Sequence, residues 1–260
     1  MLNHHYIKEK GLVKAMVLFC LFAFLPSSVF ALTKADADSS YVNENYQQAI
    51  SQYEQLLKEG GANAELYYNL GNAYYRMDDI THAVLNYERA QLLSPGDADI
   101  RFNLQLARSK TVDKIVPQSE FFIVTWYRSV VNRLSIDGWA YASLGFLALA
   151  IILALLYLFS SPIWLRKVGF FGCGIMVCCF VLAIVFAWQQ KHMLDHRDCA
   201  IIIESAVPVK STPAQNGTDL FILHEGTKVS VLDNSIGDWC EIRVPDGKQG
   251  WVEMTQIEVI

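Results

Sequence analysis

Two stretches of the sequence, 139–159 and 168–188, contain no charged side chain. Each has about 21 residues, the length that an α-helix needs to cross the hydrocarbon core of a bilayer. Only residues 160–167, SSPIWLRK, separate them, so we predict two transmembrane helices joined by a short turn. Such a hairpin returns the chain to the side from which it came. The segments before and after the hairpin are therefore expected to share one compartment.

The N-terminal segment indicates which compartment this is. Three lysines precede an apolar run over residues 15–25, which is followed by Pro-Ser-Ser and then by Val-Phe-Ala. This order is typical of a secretory signal peptide, which we predict over residues 1–31. An uncleaved signal anchor would leave the next segment on the same side. Both the segment 32–138 and the tail are thus predicted outside the cytoplasm, with the turn 160–167 inside.

The positive-inside rule gives a divided answer on this orientation. Arg166 and Lys167 in the turn agree with a cytoplasmic turn. Four basic residues beside the outer ends of the two stretches disagree with it: Arg128, Arg133, Lys191 and Arg197. We give the signal peptide more weight, because export of the N-terminal segment sets the orientation of both spans.

Charge and cysteine content exclude some classes of function. The formal net charge is −5 and no basic stripe is present, which argues against a nucleic-acid partner. Cys173, Cys178 and Cys179 lie in the second apolar stretch, where Gly174 and Cys178 form a small-xxx-small pair. Helix packing is the preferred interpretation of these residues, ahead of redox chemistry.

Cys199 and Cys240 are the two cysteines predicted in the exported domains. An oxidising compartment allows a disulfide between them. Sequence alone does not show whether their Cα atoms come within reach, so both the bridged and the free forms stay open.

A 34-residue pattern runs over residues 64–97. It is the tetratricopeptide (TPR) pattern of two antiparallel helices, with its signature positions filled by Tyr67, Leu70, Gly71, Tyr74, Ala83, Tyr87, Ala90 and Pro95. A looser copy one repeat earlier keeps Ala37, Tyr46, Ala49, Tyr53 and Leu56. Because a single unit cannot bury its own apolar face, we predict an all-α TPR solenoid over residues 32–116, with two repeats and a capping helix.

The concave face of the second repeat is the candidate binding site. Side chains spaced three and four residues apart share one face of a helix, and here they are Glu65, Tyr68, Asn69, Asn72 and Arg76. Asn103 occupies the position equivalent to Asn69 one repeat later. We predict that this surface binds an extended peptide. Docking on the chain's own tail or on a second copy is the alternative use of the same surface.

The segment 117–138 joins the solenoid to the first apolar stretch and crowds aromatic residues around Arg128 and Arg133. An amphipathic helix on the membrane surface and a buried connecting helix are both compatible with it. Beyond the second stretch, His192 and His196 are four residues apart near Asp195, Asp198 and Cys199. Polar residues are expected where a chain leaves a membrane, so we predict no metal site there.

The tail, residues 197–260, consists of short β-branched runs separated by turn residues. Five short strands in about 60 residues predict a small all-β barrel, and Asp246-Gly247 is a hairpin signal. The tail resembles the bacterial SH3-like (SH3b) domain at Gly226, Trp239, Gly250 and Trp251. We expect the two tryptophans to pack in the core and at its rim.

The order of these parts, together with RFNLQLARSKTVDKI at 101–115 and LFILHEGTKV at 220–229, resembles the TPR-containing BatE proteins of the Bacteroides aerotolerance (Bat) operon. The resemblance implies a bacterial inner-membrane protein with two spans and both soluble domains in the periplasm. It also implies an assembly with von Willebrand A-type membrane proteins and a MoxR-type ATPase, in oxidative or envelope stress tolerance.

No nucleophile paired with a base, no phosphate-binding loop and no cofactor motif is evident in the sequence. We therefore predict a non-enzymatic scaffold or adaptor, without cofactor or metal, that binds protein partners. The alternative is a cell-wall sensor or anchor whose SH3-like domain binds peptidoglycan.

Overall fold

Five helices at the N-terminal side follow the predicted TPR pattern. The computed structural model describes residues 32–116, 118–119, 121–195 and 198–260, so the predicted signal peptide lies outside the described residues. The helices are α1 (Lys34–Val42), α2 (Tyr46–Gly60), α3 (Ala64–Arg76), α4 (Ile80–Leu93) and α5 (Ala98–Lys110). They pack in chain order, each on the next, as expected for a solenoid.

Local sequence fixes where these helices begin and how closely they approach. The side chains of Asn63, Asp79 and Asp97 accept hydrogen bonds from backbone amides in the first turns of α3, α4 and α5, satisfying donors that helix geometry leaves unpaired. Gly71 on α3 faces the ring of Tyr87 on α4. A Cβ atom at Gly71 would lie 2.8 Å from that ring, so only glycine permits this helix spacing.

Three further helices cover the connector and the hairpin: α6 (Phe122–Val131), α7 (Ile136–Phe159) and α8 (Ile163–Asp195). Helix α8 begins five residues before the predicted span, so most of the predicted turn 160–167 is helical and only residues 160–162 separate the two helices. Both helices are long and apolar enough to cross a membrane. Only 11% and 6% of their most apolar windows are buried, whereas a core helix of a water-soluble protein is mostly buried.

The hairpin helices approach most closely at Gly169. A Cβ atom there would lie 2.7 Å from the backbone oxygen of Leu153. Gly174, in contrast, has open space where a Cβ would stand, and Cys178 is exposed. The small residue that lets α7 and α8 approach most closely is therefore Gly169, five residues before Gly174 of the predicted Gly174–Cys178 pair.

The tail forms a seven-stranded antiparallel sheet where five strands were predicted, because the first β-branched run breaks into two strands and the last residues add a short strand of their own. The strands are β1 (Cys199–Ile202), β2 (Ala206–Lys210), β3 (Asp219–His224), β4 (Lys228–Ile236), β5 (Trp239–Arg243), β6 (Gln249–Glu253) and β7 (Ile257–Val259), in the order β3-β2-β6-β5-β4-β1-β7. One apolar cluster takes residues from all seven strands. The pairing order has two ends, so closure into a barrel stays a prediction.

The sheet shares a core with the TPR helices. Ile201 and Ile260 of the tail are buried in one cluster with residues of α4 and α5. Around this junction core, Lys228 Nζ lies 2.8 Å from the carboxylate of Glu88, and Arg89 pairs with Glu258 at 2.9 Å. Residues more than 100 positions apart thus fix the sheet on the solenoid.

The loop after α5 strengthens the same junction. The carboxylate of Asp113 accepts hydrogen bonds from the His224 amide at 2.7 Å, from the His224 ring at 2.8 Å and from the Thr227 hydroxyl at 2.8 Å. Burial alone would raise the pKa of Asp113, but these hydrogen bonds outweigh it and hold the pKa below its ordinary value. Asp113 is therefore a charged anchor between the two domains at neutral pH.

Candidate functional site

Two small pockets follow one another along the concave side of the TPR helices. The first, here the repeat-1 pocket, is lined by Asp38, Tyr41, Val42, Tyr53, Asn69 and Asn72. The second, the repeat-2 pocket, is lined by Tyr41, Asn72, Tyr75, Arg76, Tyr87, Asn103 and Leu106. Each encloses about 210 Å³. Because both include Tyr41 and Asn72, they form one continuous groove.

The two pockets are the same structure one repeat apart. Every lining residue of the repeat-1 pocket has an equivalent 34 positions later in the repeat-2 pocket: Asp38 and Asn72, Tyr41 and Tyr75, Val42 and Arg76, Tyr53 and Tyr87, Asn69 and Asn103, Asn72 and Leu106. The first repeat, whose sequence pattern is looser, therefore forms the same pocket as the second. The groove is therefore a periodic surface, suited to a ligand that is itself extended.

A repeated hydrogen-bond network holds the floor of the groove. In the first repeat, Asp38 Oδ1 accepts from the hydroxyl of Tyr53 at 2.6 Å and from Asn69 Nδ2 at 3.2 Å. In the second, Asn72 Oδ1 accepts from the hydroxyl of Tyr87 at 2.7 Å and from Asn103 Nδ2 at 3.0 Å. Tyr53 and Tyr87 are each only 1% exposed, so buried tyrosines orient the polar side chains above them.

In the second repeat, this network leaves one amide NH2 group and one carbonyl oxygen for a ligand. Asn103 Nδ2 donates to the hydroxyl of Tyr68 at 2.9 Å as well as to Asn72, which turns its carbonyl oxygen away from both. The Asn72 carbonyl oxygen accepts from Tyr87 and Asn103, so the NH2 group of Asn72 stays available. Neither this NH2 group nor the carbonyl oxygen of Asn103 has a hydrogen-bond partner among the described residues. A peptide backbone offers the complementary C=O and N–H.

Charge differs between the two ends of the groove. At one end, the carboxylate of Asp38 forms an ion pair with Lys34, with 2.7 Å between Asp38 Oδ2 and Lys34 Nζ. Burial alone would raise the pKa of Asp38, but hydrogen bonds from Lys34, Tyr53 and Asn69 hold it below its ordinary value. At the other end Arg76 is exposed and lies over the ring of Tyr46, 5.8 Å from its centroid. The groove thus runs from a carboxylate to a guanidinium.

Four of the six predicted site residues line this groove: Asn69, Asn72, Arg76 and Asn103. Tyr68 lies behind them as a hydrogen-bond partner of Asn103. The side chain of Glu65 is 64% exposed and pairs with Lys34 at 2.9 Å on the rim.

Sequence reasoning missed the contributions of the first and last helices. Asp38 and Tyr41 of α1 and Leu106 of α5 line the groove. The same 34-residue spacing that defined the repeat would have identified Asp38, since it is the equivalent of the predicted residue Asn72. Tyr41 is the equivalent of Tyr75, which was not predicted either.

The tail docks on a different face from the groove. Its contacts go to Glu88, Arg89 and Thr81 of α4 and to Asp113 after α5. The groove-lining residues belong instead mainly to α1, α3 and α5. The concave surface is therefore not the docking site that the predicted alternative assigned to the chain's own tail.

The remaining predicted sites are separated in space. Cys199 and Cys240 are both unbridged; Cys240 belongs to the core of the sheet and Cys199 packs on the junction core. Burial raises the pKa of the Cys240 thiol. His192 stacks on Trp188, while His196 lies outside the described residues. Within the described ranges, no three side chains of His, Cys, Asp or Glu gather in a way that could hold a metal.

Comparison with protein families identifies two segments. Residues 64–97 match the tetratricopeptide repeat, and residues 205–256 match the bacterial SH3 domain. No curated protein matches the chain. The presence of a tetratricopeptide repeat and of a bacterial SH3 domain is confirmed, and domains of these two kinds support binding to protein partners. The chain thus combines a tetratricopeptide repeat and a bacterial SH3 domain with two candidate membrane spans between them.

Proposed function

We propose that this protein is a membrane-anchored, non-enzymatic adaptor whose TPR groove binds an extended peptide segment of a partner protein. The observation that carries the proposal is the pair of equivalent pockets that share Tyr41 and Asn72. An extended ligand passing from one pocket to the next meets the same aromatic and amide groups twice. TPR and SH3 domains on other proteins are typically sites of protein–protein contact, in agreement with this role.

The groove favours a peptide of particular chemistry. The Asn72 NH2 group and the Asn103 carbonyl pair with the backbone, so they bind any sequence. Leu106 is 41% exposed at the far end of the groove and offers an apolar contact. The exposed guanidinium of Arg76 selects a carboxylate next to it. We propose an extended segment with an apolar side chain and an acidic group toward the repeat-2 pocket.

The proposed location is the periplasmic face of a bacterial inner membrane, with α7 and α8 crossing it. The shared core of Ile201 and Ile260 with α4 and α5 supports this topology, because a hairpin places the solenoid and the sheet on the same side. The resemblance to BatE proteins suggests partners among the von Willebrand A-type membrane proteins of a Bat complex, in oxidative or envelope stress tolerance.

The groove is tested on the full-length protein by affinity purification from membranes, followed by mass spectrometry. Arg76→Glu reverses the charge of the repeat-2 pocket without touching the buried network. Lys58→Glu makes the same charge change at an exposed position on α2 outside the groove. We expect R76E to lose partners that wild type and K58E retain. Retention of every partner by R76E combined with Leu106→Asp would reject the groove as the binding site.

Topology has its own test. A reporter enzyme that is active only outside the cytoplasm is fused after Ile260, and a cytoplasm-active reporter at the same position serves as the control. We expect activity from the first fusion alone. The opposite result would place the SH3 domain in the cytoplasm and reject the periplasmic assignment, while leaving peptide binding by the groove untouched.

A second candidate function is peptidoglycan binding by the SH3 domain, which is favoured by the match of residues 205–256 to the bacterial SH3 domain. Sedimentation of the full-length protein with purified sacculi distinguishes the two functions. Binding that survives R76E and L106D would assign cell-wall attachment to the tail.

A further inference from the structure

A large cavity lies where the solenoid, the sheet and the hairpin meet. Its volume is about 1040 Å³. One wall comes from α4 and from the turn between α4 and α5, another from α6, a third from the end of α8, and the last from β1, β4 and the C-terminal residue. It is separate from the peptide groove, with which it shares no lining residue.

The cavity is held in shape by contacts between its walls. Gly96 in the α4–α5 turn lies so close to the backbone oxygen of Arg133 that no Cβ could be placed there. Gln190 Nε2 donates to the backbone oxygens of Val131 and Leu134, at 2.7 and 2.8 Å. The end of α8 is thus tied to the segment that leads into α7.

When α7 and α8 span a bilayer, the cavity lies at its surface. Gln190 and Met193 on the cavity wall follow Trp188, near the end of the apolar part of α8, and Arg133 on the opposite wall comes three residues before α7 begins. Tryptophans are enriched at this depth in membrane proteins. Helix α6 exposes Phe122 (73%) and Trp126 (66%), as an interfacial helix does with the face that enters the lipid.

The wall carries more cations than anions. Arg101, Arg128, Arg133 and Lys228 line it, against the carboxylates of Glu88 and Asp198. Glu88 is 3% exposed and is already paired with Lys228 at 2.8 Å and with Arg108. Lys228 and Glu88 offset each other, so Arg101 and Arg133 outweigh the carboxylate of Asp198 even when Arg128 is not counted. Arginines of this kind suit a phosphate group.

One buried polar atom on the wall also lacks a partner. Gln190 is 6% exposed. Both hydrogens of its NH2 group are used, and its Oε1 atom has no hydrogen-bond partner in the described part of the chain. Buried carbonyl groups of this kind are normally satisfied. A ligand that places a hydroxyl group beside its phosphate would supply the missing donor.

We propose that this cavity binds the headgroup of an anionic phospholipid, with the phosphate held by Arg101 and Arg133 and a headgroup hydroxyl donating to Gln190. Phosphatidylglycerol has this chemistry, since its phosphate is followed by a glycerol that carries two hydroxyls. The site would fix the solenoid and the sheet against the bilayer. The proposal rests on membrane insertion of α7 and α8 and is independent of peptide binding by the groove.

The test uses the full-length protein, purified in detergent and analysed by native mass spectrometry. The probes are phosphatidylglycerol, phosphatidylcholine and glycerol 3-phosphate, each at the same concentration. We expect phosphatidylglycerol to be retained at least tenfold more than phosphatidylcholine. The double variant Arg101→Gln/Arg133→Gln is expected to lose this preference by about tenfold or more, since each charged hydrogen bond contributes about one factor of ten.

A matched variant removes two charges from the other end of the hairpin. Arg166→Gln/Lys167→Gln should retain phosphatidylglycerol within about twofold of wild type. Equal loss in both double variants would show nonspecific attraction and overturn the proposal. Equal retention of both lipids by wild type would overturn it without reference to any variant. Tight binding of glycerol 3-phosphate would reassign the cavity to a water-soluble phosphate ligand.

The outcome is separable from that of the proposed function. Extraction of the protein from membranes by detergent but not by carbonate establishes insertion, whatever lipid is bound. Protein that washes off with carbonate would remove the premise of a headgroup site. Loss of partners in R76E with lipid retention unchanged would leave the cavity assignment intact.

Discussion

Replacing Asp113 with Asn should loosen the sheet from the solenoid. The carboxylate accepts three hydrogen bonds, from two groups of His224 and from Thr227, and its side chain is only 16% exposed. Asn keeps the shape but loses the charge, and its NH2 group faces a donor. Weakening of two charge-assisted bonds and loss of the third is expected to cost about 2–3 kcal/mol, with the half-exposed His224 ring contributing least.

The assay is hydrogen exchange of the full-length protein, followed in peptides that span residues 219–232. The amide of His224 donates to Asp113 directly. A loss of 2–3 kcal/mol in the local opening free energy corresponds to exchange about 30- to 150-fold faster at this turn. Peptides from α1 and α2, distant from the junction, should exchange at the wild-type rate.

The pH dependence of this effect has a definite sign. The pKa of Asp113 in the folded protein lies below its ordinary value. The carboxylate therefore stabilises the junction above the ordinary carboxyl pKa, and this stabilisation is lost as the pH falls through the lower folded value. The difference between wild type and D113N should shrink as the pH falls below about 4.

Asp219→Asn is the matched control. The side chain of Asp219 is 59% exposed and pairs with Lys210 within the sheet, so its loss should change the opening free energy by less than about 1 kcal/mol. Exchange at the His224 turn that is equally fast in D113N and wild type would refute the role of Asp113. So would an equal acceleration in D219N.

Three further substitutions test other parts of the structure. Glu88→Gln removes a charge at a 3% exposed position and should lower the free energy of unfolding by about 1–3 kcal/mol in thermal denaturation. Gly71→Ala places a Cβ 2.8 Å from the ring of Tyr87, and the required shift of that ring should cost about 1–3 kcal/mol in the same assay. Gly169→Ala should weaken the hairpin, because backbone atoms lie 2.7 Å from the new Cβ. The Cβ of Gly174→Ala, in contrast, enters open space. Protease resistance in detergent should therefore fall in the first variant alone.

Each of these three measurements has a result that would contradict the structure. Wild-type stability of E88Q would mean that the buried carboxylate is not held by its ion pairs. An unchanged denaturation temperature of G71A would mean that α3 and α4 do not pack at this spacing. Equal protease sensitivity of the two hairpin variants would place the helix contact elsewhere.

The boundaries of the hairpin show what hydropathy alone misses. The spans were predicted from their lack of charged residues, which excluded Arg166 and Lys167. Both residues nevertheless belong to helix α8. A helix can include them near its end because their long side chains carry the charge to the membrane surface. The small-residue pair was misplaced for a related reason: a spacing of four recurs all around a helix, and only the partner helix decides that Gly169 is the point of contact.

The groove was predicted in part because TPR geometry repeats with a fixed period. Asn69, Asn72 and Asn103 were found from their spacing, and Tyr41 and Asp38 conform to the same period. What spacing did not provide is the direction of each amide. Tyr68 and Tyr87, on two different helices, decide which end of Asn103 and of Asn72 faces a ligand.

The sequence by itself determined the parts of this protein: the TPR helices, the apolar hairpin and the β-rich tail, because periodicity, capping and hydropathy act over distances of a few residues. Only the tertiary structure decided how the parts join. The contacts of Asp113 with His224, and of Ile201 and Ile260 with α4 and α5, link residues that are far apart in the chain. Such contacts depend on complementary shape and charge between finished surfaces, which no local pattern encodes.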